Sequence, residues 1–240
     1  MEIFYKIIYQ PIFNLLIFLY NLPFVDLGVA VILITLLIKG VLYPLGIKAA
    51  KSQKEMELIQ PEIKKIQEKY KDNKEEQAKK IMELYKEKGV NPFAGMVPLF
   101  IQLPILISLF QIFNRGLENE EMQHLYAFVS KPDIISYNFM GFIDLSSPNV
   151  IFAILAGAGQ YAQMRMTITK KNKNEKQDTA KAIQSQMVYF LPGFTFIILL
   201  NLPAVVGVYW IITVAFSIFQ QYIIKKDKDE SKDGKDKKDN

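Results

Sequence analysis

Five apolar runs, at 27–45, 93–113, 150–166, 187–200 and 204–224, divide the 240-residue chain. Each approaches the roughly 20 residues that a helix needs to cross about 30 Å of hydrocarbon. In lipid, every backbone N–H and C=O must find its partner within the protein, so apolar runs of this length are helices. Half of the residues are hydrophobic while 22% are charged. That mixture suits a soluble domain poorly but suits a membrane protein in which the two populations are segregated along the chain. The expected fold is an all-α membrane protein with five transmembrane helices.

Lysine sets the orientation. Of the 29 Lys and Arg residues, 25 fall in three segments, 48–90, 165–184 and 225–240, whereas 114–148 holds only Arg115 and Lys131. Cytoplasmic loops carry the Lys and Arg excess. Five spans put all three rich segments on one side, with the N-terminus outside and the C-terminus in the cytoplasm; an even number breaks that agreement. The net charge of +5 is therefore an orientation signal first. Without cysteine, disulfide and thiol chemistry are excluded. His124 is the only histidine and has no companion ligands, so no metal or other cofactor is expected. No phosphate-cradling Gly-rich loop and no nucleophile elbow occur, and the chain reads as a non-enzyme with no affinity for DNA.

Taken in order, residues 1–25 hold a helix in which Glu2, Lys6, Gln10 and Asn14 recur every four residues among apolar neighbours. That narrow polar stripe predicts an amphipathic helix in the outer interface, restarted or kinked at Pro11. No small-residue cleavage site or lipoprotein signal follows it. Asp26 is the expected N-cap of the first transmembrane helix, 26–47, which is expected to bend at Tyr43-Pro44 and Gly46. From 48 to 90, Met56, Ile59, Ile63, Ile66 and Tyr70 alternate steps of three and four, as do Ala78, Ile81 and Tyr85 beyond a turn at Lys71–Lys74. This predicts a cytoplasmic antiparallel helical hairpin. Its twelve basic and nine acidic residues make a mixed surface, solvated in the main or a docking face for a partner or anionic headgroups. Pro61 is read as a hinge or a helix restart.

Residues 91–224 carry transmembrane helices two to five, with an external loop at 114–148 and a cytoplasmic loop at 167–184. The external loop is expected to supply interfacial pieces at 122–129 and 139–143, too short to bury a core of its own. Ala153, Gly157, Ala158, Gly159 and Ala162 permit close helix approach in the third span. The fourth and fifth spans form a membrane hairpin through Asn201-Leu202-Pro203. The tail, 225–240, with seven lysines against six acids, is expected to be solvated and disordered, with RNA contact as the second reading.

Polar residues inside the spans are the candidate site. Lys39 lies within VILITLLIKGVLYPLG, and a charge in hydrocarbon costs roughly 3 kcal/mol on insertion scales. Two readings stand. About 9 Å from the inner end of its span, Lys39 is near enough to snorkel to the interface. Thr35, one turn earlier on the same face, points instead to the wall of a wet cavity. Trp210, Thr213, Ser217 and Gln220 share one face of the fifth span, where Trp210 is either a belt residue or cavity lining. Gln102 sits between Pro98 and Pro104 in the second span, facing protein, and Gln160 and Gln163 lie near the inner end of the third.

Four segments, TLLIKGVLYPL (35–45), IQPEIKKIQEKY (59–70), NPFAGMVPLFIQLPILISLF (91–110) and GVYWIITVAFSIFQQYII (207–224), resemble in order the YidC/Oxa/Alb family of membrane protein insertases, over nearly the whole chain. The resemblance implies a five-helix core that inserts nascent membrane proteins and helps them fold. It implies a positively charged hydrophilic groove open to cytoplasm and lipid, acting with or without the Sec translocon. By resemblance the groove's first-span cation is Lys39, its neighbouring hydroxyl Thr35, its fifth-span aromatic Trp210 and its third-span glutamine Gln163 or Gln160, with Gln102, Thr213 and Ser217 as further lining. The bacterial plasma membrane, a monomeric working form, and the Sec translocon and ribosome as partners follow from the same resemblance. The chain resembles the compact form, without a large external domain. It departs from the family in carrying lysine where arginine is usual, a compact ammonium in place of a planar fork. The alternative is a small multispan transporter or channel with Lys39 as substrate counter-ion, for which the expected internal repeat is not seen.

Overall fold

The computed structural model describes residues 2–91, 93, 97–115, 117, 121–167 and 179–236. The chain divides into two compact units, 1–41 with 103–240, and 42–102. In the first, helix α1 (Glu2–Phe4) passes through a π-helical turn (Tyr5–Tyr9) into α2 (Gln10–Tyr20). The π turn ends where Pro11 begins the next register. Proline lacks an N–H and its ring crowds the carbonyl four residues back, so an extra residue in the preceding turn absorbs the mismatch. Helix α3 (Leu27–Lys69) starts at Asp26, whose Oδ1 accepts the Val29 N–H at 2.9 Å, the expected cap.

Helix α3 is continuous across both prolines within it, Pro44 and Pro61. The expected bend at Pro44 and Gly46 and the expected restart at Pro61 do not interrupt it, and the boundary between first span and hairpin is not a break in the helix. A proline removes one intrahelical hydrogen bond while its neighbours keep theirs.

The second unit holds the end of α3 and α4 (Lys74–Glu87). Asn73 caps α4, its Oδ1 accepting the Glu76 N–H at 3.1 Å, with Glu75 and Glu76 in the first turn. Ile59, Ile63, Leu84 and Val90 are buried together, with Met56, Ile66, Ile81 and Tyr85 packed against them. Met56, Ile59, Ile63, Ile66, Ile81 and Tyr85 are among the residues whose three-four spacing predicts the hairpin, whereas Leu84 and Val90 lie outside that pattern. Gln77 Nε2 donates to Gln67 O at 2.8 Å across the turn, and Lys88 pairs with Glu62 at 3.0 Å.

Helix α5 (Val97–Arg115) contains Pro104. Beyond it come a 3-10 turn (Glu121–His124) and a two-stranded antiparallel hairpin, β1 (Asn138–Phe139) with β2 (Ile143–Asp144). Helices α6 (Val150–Thr167), α7 (Thr179–Leu199) and α8 (Ala204–Asp236) complete the chain. Helix α6 packs along both α7 and α8. A Cβ on Gly157 would come within 3.2 Å of Pro192 O, so the α6–α7 approach requires glycine there. Ala153 is also buried, whereas Ala158 and Ala162 are exposed, so only one side of the small-residue stripe is used for packing.

Two expectations need correction, and a third gains detail. The 114–148 segment is tied down, with backbone polar groups met by side chains of the N-terminal region. Asn14 Oδ1 accepts the Tyr126 N–H at 2.6 Å, Asn14 Nδ2 and Gln10 Nε2 both donate to His124 O at 3.1 Å, and Asn21 Nδ2 donates to Ser130 O. The polar stripe on the N-terminal helix is correspondingly a docking seam at Gln10 and Asn14, and Asn14 is only 2% exposed. The tail is helical as far as Asp236, since α8 meets no proline after Pro203 and its Lys and Glu residues favour helix. Of the 167–184 loop, residues 168–178 lie outside the described residues, as do 237–240 of the tail.

Among the described residues three helices are long and apolar enough to cross a membrane, Glu2–Tyr20, Leu27–Met56 and Ala204–Ile224, and Phe100–Asn114 and Gln186–Leu199 are shorter apolar helices. The first of these is the helix expected to lie in the interface. Helix α6 falls outside both groups because Gln160, Gln163 and Arg165 make its second half polar.

Candidate functional site

Thr35 and Lys39 lie one turn apart on one face of α3. Thr35 is buried, 1% exposed, and its Oγ1 donates to Val31 O at 2.6 Å; Lys39, one turn on, is half-buried. A hydroxyl bonded back to its own helix is satisfied as a donor and keeps acceptor capacity.

A second group joins α6 to α8. Trp210 Nε1 donates to Gln160 Oε1 at 2.9 Å, so the tryptophan of α8 meets a glutamine of α6. Gln163 is half-buried three residues on. Along the same face of α8, Ser217 Oγ donates to Thr213 O at 2.9 Å, and Gln220 is half-buried. Gln102 is half-buried on α5 and belongs to the second compact unit. The structure thus gathers the candidates into a Thr35–Lys39 pair on α3 and a Gln160–Trp210–Thr213–Ser217 group across α6 and α8.

Sequence reasoning passed over Ser108 and Thr195, both buried in apolar helices. Ser108 Oγ has no hydrogen-bond partner among the described residues. Its signal in the sequence was present, a single hydroxyl within PILISLFQIF with Gln111 three residues on.

On the hairpin of α3 and α4 two ion pairs lie at the surface, Lys88–Glu62 and Lys80–Glu83. Lys80 and Glu83 meet at 2.8 Å on α4, and their hydrogen bond raises the ammonium and lowers the carboxyl from their ordinary values; both are exposed, where such pairs contribute little. Among the described residues no group of three or more His, Cys, Asp or Glu is placed to hold a metal ion.

The model of the 60Kd inner membrane protein family matches residues 18–232. The chain belongs to this family. A relative named membrane protein insertase YidC, from Fusobacterium nucleatum, is 32% identical over 201 residues, covering 84% of this chain and 87% of the relative. Relatives of the same name from Pelodictyon phaeoclathratiforme and Chloroherpeton thalassium are 34% and 35% identical, covering 83% and 90% of this chain. The chain spans about a third of the length of these two, 33% and 35%. The family is the one that the four quoted segments resemble, its members are not enzymes, and membership places the chain in the bacterial inner membrane.

Proposed function

We propose that the chain inserts nascent membrane proteins into the lipid bilayer and assists their folding, through a hydrophilic groove lined by Lys39, Thr35, Gln160, Gln163, Trp210, Thr213 and Ser217. The observation that carries this reading is the half-buried ammonium of Lys39 inside an apolar helix, one turn from a buried hydroxyl. The five-span arrangement, with the N-terminus outside and the C-terminus in the cytoplasm, rests on the distribution of lysine. The Fusobacterium relative of nearly equal length supports the activity.

A substrate helix of about 20 apolar residues prefers the bilayer, while its polar or acidic flank meets a steep barrier in hydrocarbon. A wet groove reaching partway across shortens that barrier. An ammonium about 4 Å from a substrate carboxylate, at an effective dielectric of 20, supplies an attraction of about 4 kcal/mol before desolvation. The attraction is strong enough to draw the flank in and weak enough to release it. The hairpin of α3 and α4 receives substrates or partners at the cytoplasmic side, and the Sec translocon and ribosome are the partners this role calls for.

Replacing Lys39 tests the proposal. In cells depleted of their own insertase, Lys39→Ala and Lys39→Glu lose insertion of substrates with acidic external tails, while Lys39→Arg retains it. Equal insertion by all three variants would refute the charge role.

A further inference from the structure

Two residues stand with positive φ although neither is glycine: Phe24 (64°) and Met140 (53°). Bulky side chains disfavour that region, which suits Gly and Asn. Met140 and Gly141 are the central pair of the β1–β2 turn, closed by Phe142 N–H to Phe139 O at 3.3 Å, and a turn with positive φ at both centres favours Asn-Gly. The chain carries Met-Gly. Phe24 is fully exposed, Met140 64% and Phe142 76% exposed. Phe24 and Met140 therefore hold large apolar side chains where small polar ones would suit both backbone and water, and Phe142 adds a third apolar side chain exposed beside them.

The three are held together at one place. Asp26, which caps α3, accepts the Met140 N–H through Oδ2 at 2.8 Å, and the Phe139 ring packs so tightly over Gly28 that any side chain there would run into it. The hairpin tip is thus fixed to the first turn of α3, a helix long and apolar enough to cross the membrane. From Ile134 to Ile143 no residue is charged. An apolar, uncharged tip beside the start of a helix long and apolar enough to cross the bilayer suits the headgroup–acyl boundary.

We propose that Phe24, Met140 and Phe142 form a lipid anchor, inserted into the membrane boundary beside the start of α3 and fixing the depth of that span. The proposal rests on α3 crossing the bilayer, and not on which side the tip lies.

Because the chain has no cysteine, single substitutions Phe24→Cys, Met140→Cys and Phe142→Cys can each carry a nitroxide label in the full chain. Leu37→Cys, half-exposed within the span, and Asp133→Cys, exposed in the loop, are the references. In vesicles of phosphatidylcholine and phosphatidylglycerol, the ratio of collisions with oxygen to collisions with a water-soluble nickel chelate is expected to be several-fold higher at 24, 140 and 142 than at 133. Lipid at 37 with the aqueous ratio at 24 and 140 overturns the anchor alone. Water at 37 overturns the spanning reading and the anchor with it. Shielding from both reagents at 24 and 140 means that protein covers the tip, and overturns the proposal. The double variant Phe24→Asn/Met140→Asn suits the local backbone and so keeps the fold. In it the label at 142 is expected to shift to the aqueous ratio, and an unchanged ratio refutes the role of the pair.

Discussion

Asn14 joins the N-terminal helix to the external segment, and replacing it by leucine isolates one interaction. Its side chain makes three hydrogen bonds, donating to Gln10 O and His124 O and accepting from the Tyr126 N–H. Gln10 O also lies in the helical ladder, and His124 O keeps the donor from Gln10 Nε2. The Tyr126 N–H loses its partner outright. An unsatisfied buried donor costs about 1–3 kcal/mol. Tyr126 is half-buried, so water relieves part of that cost, and about 1–2 kcal/mol remains. Local opening of the segment then becomes roughly 5–30 times more frequent. Amide hydrogen exchange in detergent or nanodiscs reads this directly: the Tyr126 amide in Asn14→Leu exchanges faster by that factor, while amides of the α3–α4 hairpin do not change. Asn14→Asp retains the acceptor and keeps the Tyr126 amide protected. Unchanged exchange at Tyr126 in the leucine variant would show that Asn14 does not hold the segment.

Other expectations follow from single contacts. Trp210→Phe removes the donor to Gln160 and lowers stability by about 0.5–1.5 kcal/mol; a double-mutant cycle with Gln160→Leu should return a coupling of that size, and strict additivity would contradict the contact. Thr35→Val leaves the helical bond to Val31 O in place, so thermal stability is nearly unchanged while insertion of substrates with polar flanks falls; equal loss of both would make Thr35 a structural residue. Asp144 is held below its ordinary carboxyl value by the Ser146 hydroxyl and N–H and by Ser147. A carboxyl depressed in the folded state contributes stability that is present above its unfolded value of about 4 and lost as pH falls through its folded value. Nuclear magnetic resonance shifts of Ser146 should therefore move only in acid, and Asp144→Asn should abolish the movement.

The hairpin was the most legible element, because Ile59, Ile63, Leu84 and Val90 bury one face in water, and burial in water imposes a period. The Asp26 cap was legible for a similar local reason, since a carboxylate three residues before Val29 has one obvious donor to accept. The prolines misled. Pro61 has a strong local rule as a helix restart, yet the helix runs through it and through Pro44, since each proline removes a single hydrogen bond. The N-terminal stripe was legible as a pattern but not as an interaction: a polar face on an apolar helix looks the same whether it meets water or a docked loop. Only contacts more than a hundred residues away in sequence, such as Asn14 to Tyr126, distinguish the two. At the site, the face shared by Trp210, Thr213 and Ser217 was readable from spacing, whereas the choice of Gln160 over Gln163 as the tryptophan's partner depends on how α6 and α8 meet.

On the proposed reading, two of the lining hydroxyls keep polar oxygen in a membrane at little standing cost. Thr35 and Ser217 each donate to a carbonyl four residues earlier on their own helix, so neither proton is left unpaired. Each oxygen retains lone pairs, and a hydroxyl in this arrangement offers an acceptor while asking for none in return. An ammonium offers only donors. A groove that combines such hydroxyls with the Lys39 ammonium therefore meets both the N–H groups and the carboxylates of a passing polar flank.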